Sequence, residues 1–479
     1  MVVAAFLLPA KLLAQPIDST IEFENCNLEV PGTVLTAEAR CGWLEVAEDP
    51  ANPDGRKIML HVAMAPAVTQ EPEPDPLFIF AGGPGQAASE GYVILRGVLE
   101  KVRRKRDIVM IDQRGTGKSN PMMCRPEDVD FTAIADLDEI RQLAVDCLAQ
   151  LDADPRFYTT AIGMDDYDQV RQALGYEKIN LLGVSYGTRS AQVYLRQYPD
   201  RVRSMILDSV IPPQLLLGAE HAQRLDETVE QVLTACANDE NCNQRFPDGL
   251  ENLRSLLTEL RTEPTLISIT HPVTGLPEPI LMNDDVLAAA IRFLSYSSET
   301  QAMLPLLINE ARINGDFSRI ASQALIVISR IADSLAHGME LSVICAEDYP
   351  FMDFDADMGE TLMGNIFIEA LKAQCDVWPR GDVAADFHEP KSFPVPVLLM
   401  SGERDPVTPA VYADQAAQQY ENSLHLVAAG QGHNVVGRPC IRTIAQDFID
   451  AGSVSELDTE CVDKIKPSPF FDSLLGPLP

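Results

Sequence analysis

The chain is short of basic residues: 37 Lys and Arg stand against 71 Asp and Glu in 479 residues, a formal net charge of −34. Such a charge repels phosphate backbones and anionic lipid surfaces, so neither a nucleic acid nor a membrane surface is expected as a partner. Beyond the first residues no stretch of about 18 uninterrupted apolar residues occurs, which leaves no expected membrane span. There is no CxxC, so zinc-ribbon and thioredoxin-type readings lack their spacing. His221, His271, His337 and His388 show no metal-ligand spacing to another histidine, and neither a metal nor another cofactor is expected. With 46% hydrophobic and 23% charged residues, the composition also excludes a disordered chain.

Ten cysteines are present, an even number in sequence-close couples. Chain order suggests the bridges Cys26–Cys41, Cys124–Cys147, Cys236–Cys242, Cys345–Cys375 and Cys440–Cys461. Residues 1–14 are apolar and end on the small residue Ala14, the pattern of a signal peptide cleaved near Ala14–Gln15. They lack a basic n-region, since Lys11 follows the apolar run. Together the two features point to an exported, oxidised protein, either periplasmic or secreted.

Short apolar runs at 41–49, 57–66, 77–80, 107–112, 179–185, 202–209, 395–402 and 423–430 read as strands. Asn52-Pro53-Asp54-Gly55 between the first two is turn chemistry. Amphipathic patterns at 164–175 and 187–198 lie between later runs and read as helices. This alternation predicts an α/β fold with a mostly parallel sheet covered on both faces. It breaks once, over 211–394, where helical patterns such as 218–236 and 301–312 dominate. That block reads as a helical cap inserted into a catalytic domain made of 15–210 and 395–479.

Gly183-Val184-Ser185-Tyr186-Gly187 follows a strand run and precedes a helical pattern. A G-x-S-x-G turn in this context pushes a serine hydroxyl out of the sheet, with both glycines needed for close packing. Serine is a weak nucleophile until a base takes its proton. His433, on the loop after the last core strand, is the expected base. Asp405, 28 residues earlier on the loop after 395–402, is the expected orienting acid. Asp208, after the preceding strand, is the rival for that role. Backbone N–H groups for an oxyanion are expected from Tyr186 and from Gly83 in the turn after 77–80. Gly115-Thr116-Gly117-Lys118-Ser119 imitates a phosphate loop, but Asp112 occupies the position where that pattern needs its first glycine.

The segments GGPG (82–85), DQRGTGKS (112–119), GVSYGT (183–188), GERDPVTP (402–409) and GQGH (430–433) together resemble the proline iminopeptidase and tripeptidyl-aminopeptidase branch of the α/β-hydrolases. The resemblance spans roughly residues 40–460 and implies the α/β-hydrolase fold, with Ser185, Asp405 and His433 as a catalytic triad. It also implies peptide substrates with a free N-terminus, from which residues or short peptides are released. The family motif often carries a histidine where Ala81 stands, which argues against strict proline specificity. An enzyme of that kind must hold the substrate α-ammonium, and Glu347 and Asp348 in the cap are the expected carboxylates. An esterase on the same fold and a non-catalytic binding module are the competing readings. The intact serine, acid and histidine set disfavours the latter.

Overall fold

The computed structural model describes residues 21–124, 136–272, 274–355 and 358–477. The expected signal peptide at 1–14 lies outside the described residues.

Nine strands form one twisted sheet. In chain order they are β1 (Glu24–Glu29), β2 (Thr36–Ala47), β3 (Lys57–Ala65), β4 (Leu77–Phe80), β5 (Ile108–Ile111), β6 (Ile179–Val184) and β7 (Val202–Asp208). A two-stranded hairpin, β8 (Thr265–Thr270) and β9 (Pro277–Met282), stands apart, and β10 (Phe393–Gly402) and β11 (Tyr420–Ala428) complete the sheet. The spatial order is β1-β2-β3-β5-β4-β6-β7-β10-β11. The pairs among β1, β2, β3 and β5 are antiparallel, and those from β5 through β11 are parallel.

The parallel strands are apolar runs because both faces are covered. Leu77 and Ile79 of β4 point into a core shared with Ile108, Met110, Leu398 and Phe448. Phe78 and Phe80, at the alternate positions, enter a second core with Val109, Ile111, Tyr167 and Tyr194. β1 escaped the sequence reading because ENCNLE is a polar edge strand, with only Leu28 buried. The turn at 52–55 closes the β2–β3 pair, with Ala47 opposite Lys57.

Register places the carboxyl ends of the parallel strands side by side. Phe80 pairs with Gly183, Val184 with Asp208, and Asp208 with Met400. In open α/β sheets this edge is where ligands bind. The residues expected to do chemistry on this sheet sit at or just beyond the carboxyl ends of its strands.

Between β7 and β10 the chain is mostly helical and carries its own core, in which Leu225, Leu253, Leu287, Ile291 and Leu304 meet. The β8–β9 hairpin in this block adds two strands to the expected mainly helical cap. Ile267, Ile269, Ile280 and Met282 supply its apolar face. Backbone hydrogen bonds join the block to the active edge. Ala336 donates its N–H to Gly85, Gly338 to Met122, and His433 donates to the Tyr296 carbonyl. A further core joins Tyr186 and Ile211 to Met339, Ile344 and Cys345.

The structure joins Cys26–Cys41, Cys124–Cys147, Cys236–Cys242, Cys345–Cys375 and Cys440–Cys461, and no free cysteine occurs among the described residues. No helix among the described residues is long and apolar enough to cross a membrane. Non-reducing peptide mapping of native protein is expected to recover these five pairs. Reduction is expected to lower Tm, since a native bridge contributes roughly 2–5 kcal/mol. Two or more free thiols per native chain would contradict the pairing.

Candidate active site

Ser185 sits between the end of β6 and the helix Tyr186–Gln197 with φ 55° and ψ −123°. A non-glycine residue in such a conformation costs on the order of 1–3 kcal/mol and persists only where its surroundings hold it. The two glycines of the motif show what holds it. A Cβ on Gly183 would lie 2.4 Å from the Gly187 carbonyl oxygen, and one on Gly187 would lie 2.0 Å from that of Phe80. The turn therefore closes only with bare backbone at both places. The Ser185 N–H bonds the Asp208 carbonyl at 2.9 Å, and the Thr188 hydroxyl caps the Ser185 carbonyl at 2.6 Å.

His433 donates from Nδ1 to Asp405 Oδ2 at 2.8 Å. Asp405 is 1% exposed and has its other oxygen occupied by the N–H groups of Val407 and Thr408 at 2.9 and 2.8 Å. The Thr408 hydroxyl also bonds Asp405 Oδ2 at 2.8 Å and lies 3.2 Å from His433 Nδ1. Thr408 escaped the sequence reading. Asp405 forms an Asx-type turn with the N–H groups two and three residues on, and the Thr408 hydroxyl adds a third donor that no local pattern announces. Burial alone would lower the His433 pKa; the Asp405 carboxylate outweighs it and holds the imidazole above its ordinary value. Burial alone would raise Asp405, and His433 together with the backbone donors holds it below the usual carboxylate value. With Nδ1 committed to Asp405, Nε2 of the neutral imidazole is the atom left to take a proton.

Asp208 has a different environment. It is fully buried and accepts from Val435 N–H at 3.0 Å and Val436 N–H at 2.9 Å. Burial pushes its pKa up to about 6, against the pull of those two donors. It fixes the loop that carries His433, and it makes no hydrogen bond to the ring.

The turn Gly82–Gln86 borders the serine. A Cβ on Gly82 would lie 3.2 Å from that of Ser185, and Gly83 has φ +108°, a region that favours glycine. Tyr186 opens its helix, where first-turn N–H groups have no intrahelical partner and the helix dipole favours negative charge. Gly82 thus lies against the serine, with Gly83 the next residue of that turn, and Tyr186 follows the serine directly.

The imitation phosphate loop has a structural occupation. Asp112 accepts from His61 Nδ1 at 2.8 Å, Ser89 N–H at 3.0 Å and Lys118 N–H at 3.2 Å. Arg114, 1% exposed, grips Asp166 through two nitrogens at 2.7 and 2.8 Å and bonds the carbonyls of Glu48 and Phe157.

Glu347 and Asp348 require a correction. Both are fully buried. Asp348 takes Arg189 bidentately, at 2.9 Å on each oxygen, and the Leu217 N–H at 3.0 Å. Glu347 takes the N–H and hydroxyl of Thr160 at 2.6 and 2.8 Å, and the Thr160 hydroxyl contacts the Tyr186 hydroxyl at 2.6 Å. Burial holds Glu347 at about 7, even against the Arg189 charge. Neither carboxylate is an open anchor for a substrate ammonium. Together they hold the insertion against the helix that follows Ser185. The signal missed was Arg189 itself: a guanidinium in a helix buried on this edge is costly unless paired, which makes a carboxylate partner the expected neighbour.

A strained serine at a strand–helix turn, with a carboxylate-bound histidine on the same sheet edge, defines a serine hydrolase. The chain belongs to the alpha/beta hydrolase fold family, whose model matches residues 75–437. It is 23% identical to "Serine protease Hip1" of Mycobacterium tuberculosis (strain ATCC 25618 / H37Rv), over 94% of this chain and 93% of that protein. It is 24% identical to the tripeptidyl aminopeptidase of Streptomyces lividans, over 94% of this chain and 88% of that one. A proline iminopeptidase of Lactobacillus delbrueckii subsp. bulgaricus is 32% identical over 146 residues, 30% of this chain and 39% of its own.

Two measurements follow from this geometry. With His433 as the base, the acid limb of kcat/KM is expected above the ordinary histidine value of 6.5, because the ring must first lose its proton and Asp405 raises its pKa. Asp405→Asn is expected to cut kcat by orders of magnitude and to move the limb to lower pH, since burial then acts on the ring against only the more distant pull of Asp208. A limb that stays in place in that variant would contradict the assignment. Asp208→Ala leaves two buried N–H groups without acceptors and is expected to lower unfolding free energy by roughly 3 kcal/mol in denaturant titration. A change within about 0.5 kcal/mol would contradict its role as the loop anchor.

Proposed function

We propose that this chain is a serine exopeptidase that releases residues or short peptides from free N-termini through an acyl-enzyme on Ser185. The observation that carries the reading is the 2.8 Å contact of His433 Nδ1 with Asp405 on the edge that presents Ser185. In this scheme His433 Nε2 takes the Ser185 hydroxyl proton as Oγ attacks the scissile carbonyl. The oxyanion is met by the N–H groups of Gly83 and Tyr186. The imidazolium, stabilised by Asp405, then protonates the leaving amine. Water, deprotonated by the same histidine, releases the acyl group.

Two features favour an exopeptidase over an endopeptidase. The insertion between β7 and β10 (211–394 on the sequence reading) is bonded to the Gly85 turn and to the His433 loop, so it restricts what reaches the serine. Relatives along nearly the whole chain include a tripeptidyl aminopeptidase. Five disulfides and the apolar start of the chain support export to an oxidising compartment, periplasmic or extracellular.

The test is a panel of aminoacyl, dipeptidyl and tripeptidyl nitroanilides, each with a free and an acetylated N-terminus. At least tenfold higher kcat/KM on the free amines is expected, as is loss of about 10⁴-fold or more of kcat in Ser185→Ala. Equal rates on free and acetylated peptides would reject the aminopeptidase reading. Turnover of simple esters alone would assign an esterase.

A further inference from the structure

The insertion presents a cation without a counter-ion beside the histidine loop. Arg292 lies in the helix Asp284–Leu294, one turn before Tyr296. Tyr296 fixes the position of His433: its carbonyl accepts the His433 N–H at 2.7 Å, and its ring meets the imidazole edge-on at 5.5 Å. The same tyrosine stacks on Phe293 at 6.2 Å. The Arg292 guanidinium lies 4.8 Å from the centre of the Phe367 ring and 5.9 Å from that of Phe293. It lies near two aromatic rings, yet among the described residues no carboxylate pairs with it.

That absence is informative in a chain of net charge −34. The more deeply buried Arg106, Arg114 and Arg189 all carry carboxylate partners. A half-buried guanidinium seated on aromatic rings keeps its charge, and desolvation strengthens its pull on an incoming anion. Among the described residues the polar partner of the Arg292 guanidinium is His221 Nδ1, at 3.3 Å. Burial, reinforced by the Arg292 charge, pushes the His221 pKa down to about 3, and His433 and Asp405 are the other charges that act on it. His221 is therefore neutral at working pH. Its Nδ1 accepts from Arg292, so its proton sits on Nε2, a second donor. The pair offers donors only.

We propose that Arg292, with His221 beside it, is a specificity site for a carboxylate on the substrate. The proposal rests on the peptidase reading of Ser185, which it narrows to acidic substrates. The carboxylate belongs either to the C-terminus of a short peptide or to an Asp or Glu side chain next to the scissile bond. In both cases the guanidinium holds the substrate on the Tyr296 side of His433. Arg292 does not touch the reacting atoms; it acts on which substrate is held.

The experiment compares the full chain with Arg292→Gln and Arg292→Lys at low ionic strength on matched pairs. One pair is a tetrapeptide and its C-terminal amide; the second exchanges Glu for Gln next to the scissile bond. A third set consists of activated esters carrying a carboxylate or its amide, on the acyl side and on the leaving-group side. The readout is the ratio of kcat/KM for the charged over the neutral member within each protein. A ratio of about ten or more is expected in at least one pair for the wild type. It is expected to fall to about one in Arg292→Gln and to stay above one in Arg292→Lys, which keeps the charge. The first pair responding assigns a C-terminal carboxylate, and the second a side chain. Ratios near one throughout the wild type, or a preference that survives in Arg292→Gln, would overturn the proposal. If esters are cleaved and peptides are not, the exopeptidase reading fails, and the ester set still decides the role of Arg292.

Discussion

The active edge depends on two adjacent residues at the end of β7. The Asp208 carbonyl takes the Ser185 N–H, and its carboxylate takes the N–H groups of Val435 and Val436. Ser209 donates its N–H to the Met400 carbonyl and accepts the Asn434 N–H on its hydroxyl at 2.8 Å. A single dipeptide thus ties the serine turn, the strand that delivers Asp405 and the loop that delivers His433. These pieces lie far apart in sequence, and the proposed proton transfer needs them to agree within fractions of an ångström. A buried carboxylate has a desolvation cost, and here the backbone donors offset it while fixing the loop.

The same logic extends outward to the insertion. Arg189, on the helix that follows Ser185, is clamped by Asp348, while Glu347 holds Thr160, whose hydroxyl contacts that of Tyr186. On the other side Tyr296 receives the His433 N–H. The insertion therefore grips the catalytic edge through the serine helix and through the histidine loop, not merely through apolar packing. Its disulfide Cys345–Cys375 pins the helix that carries Glu347 to a neighbouring helix. Movement of this block would be felt at both ends of the catalytic set.

Much of this was legible in the sequence, for physical reasons. Doubly covered strands are unbroken apolar runs, so β4, β5, β6 and β7 announced themselves, and a serine turn that tolerates only glycine at two places has few disguises. β1 did not, because an edge strand with one buried side chain reads as polar loop. Glu347 and Asp348 were read as substrate ligands because sequence shows charge without showing its partner. The partner, Arg189, lies 159 residues from Asp348. Asp208 was weighed as a rival catalytic acid, which its place at a strand end allowed. Its hydrogen bonds to backbone, which sequence does not encode as a motif, give it the anchoring role. Tyr296 and Arg292 were missed because nothing local ties the insertion to His433.

The central claim is that Ser185 is made nucleophilic by His433 held on Asp405. The most direct measurement treats the protein with a fluorophosphonate, which reacts only with an activated serine, and maps the modified peptide by mass spectrometry. The account predicts one adduct per chain, on Ser185, formed in step with loss of activity and suppressed in His433→Ala. An adduct on another residue that accompanies inactivation, or undiminished labelling of Ser185 without His433, would contradict it.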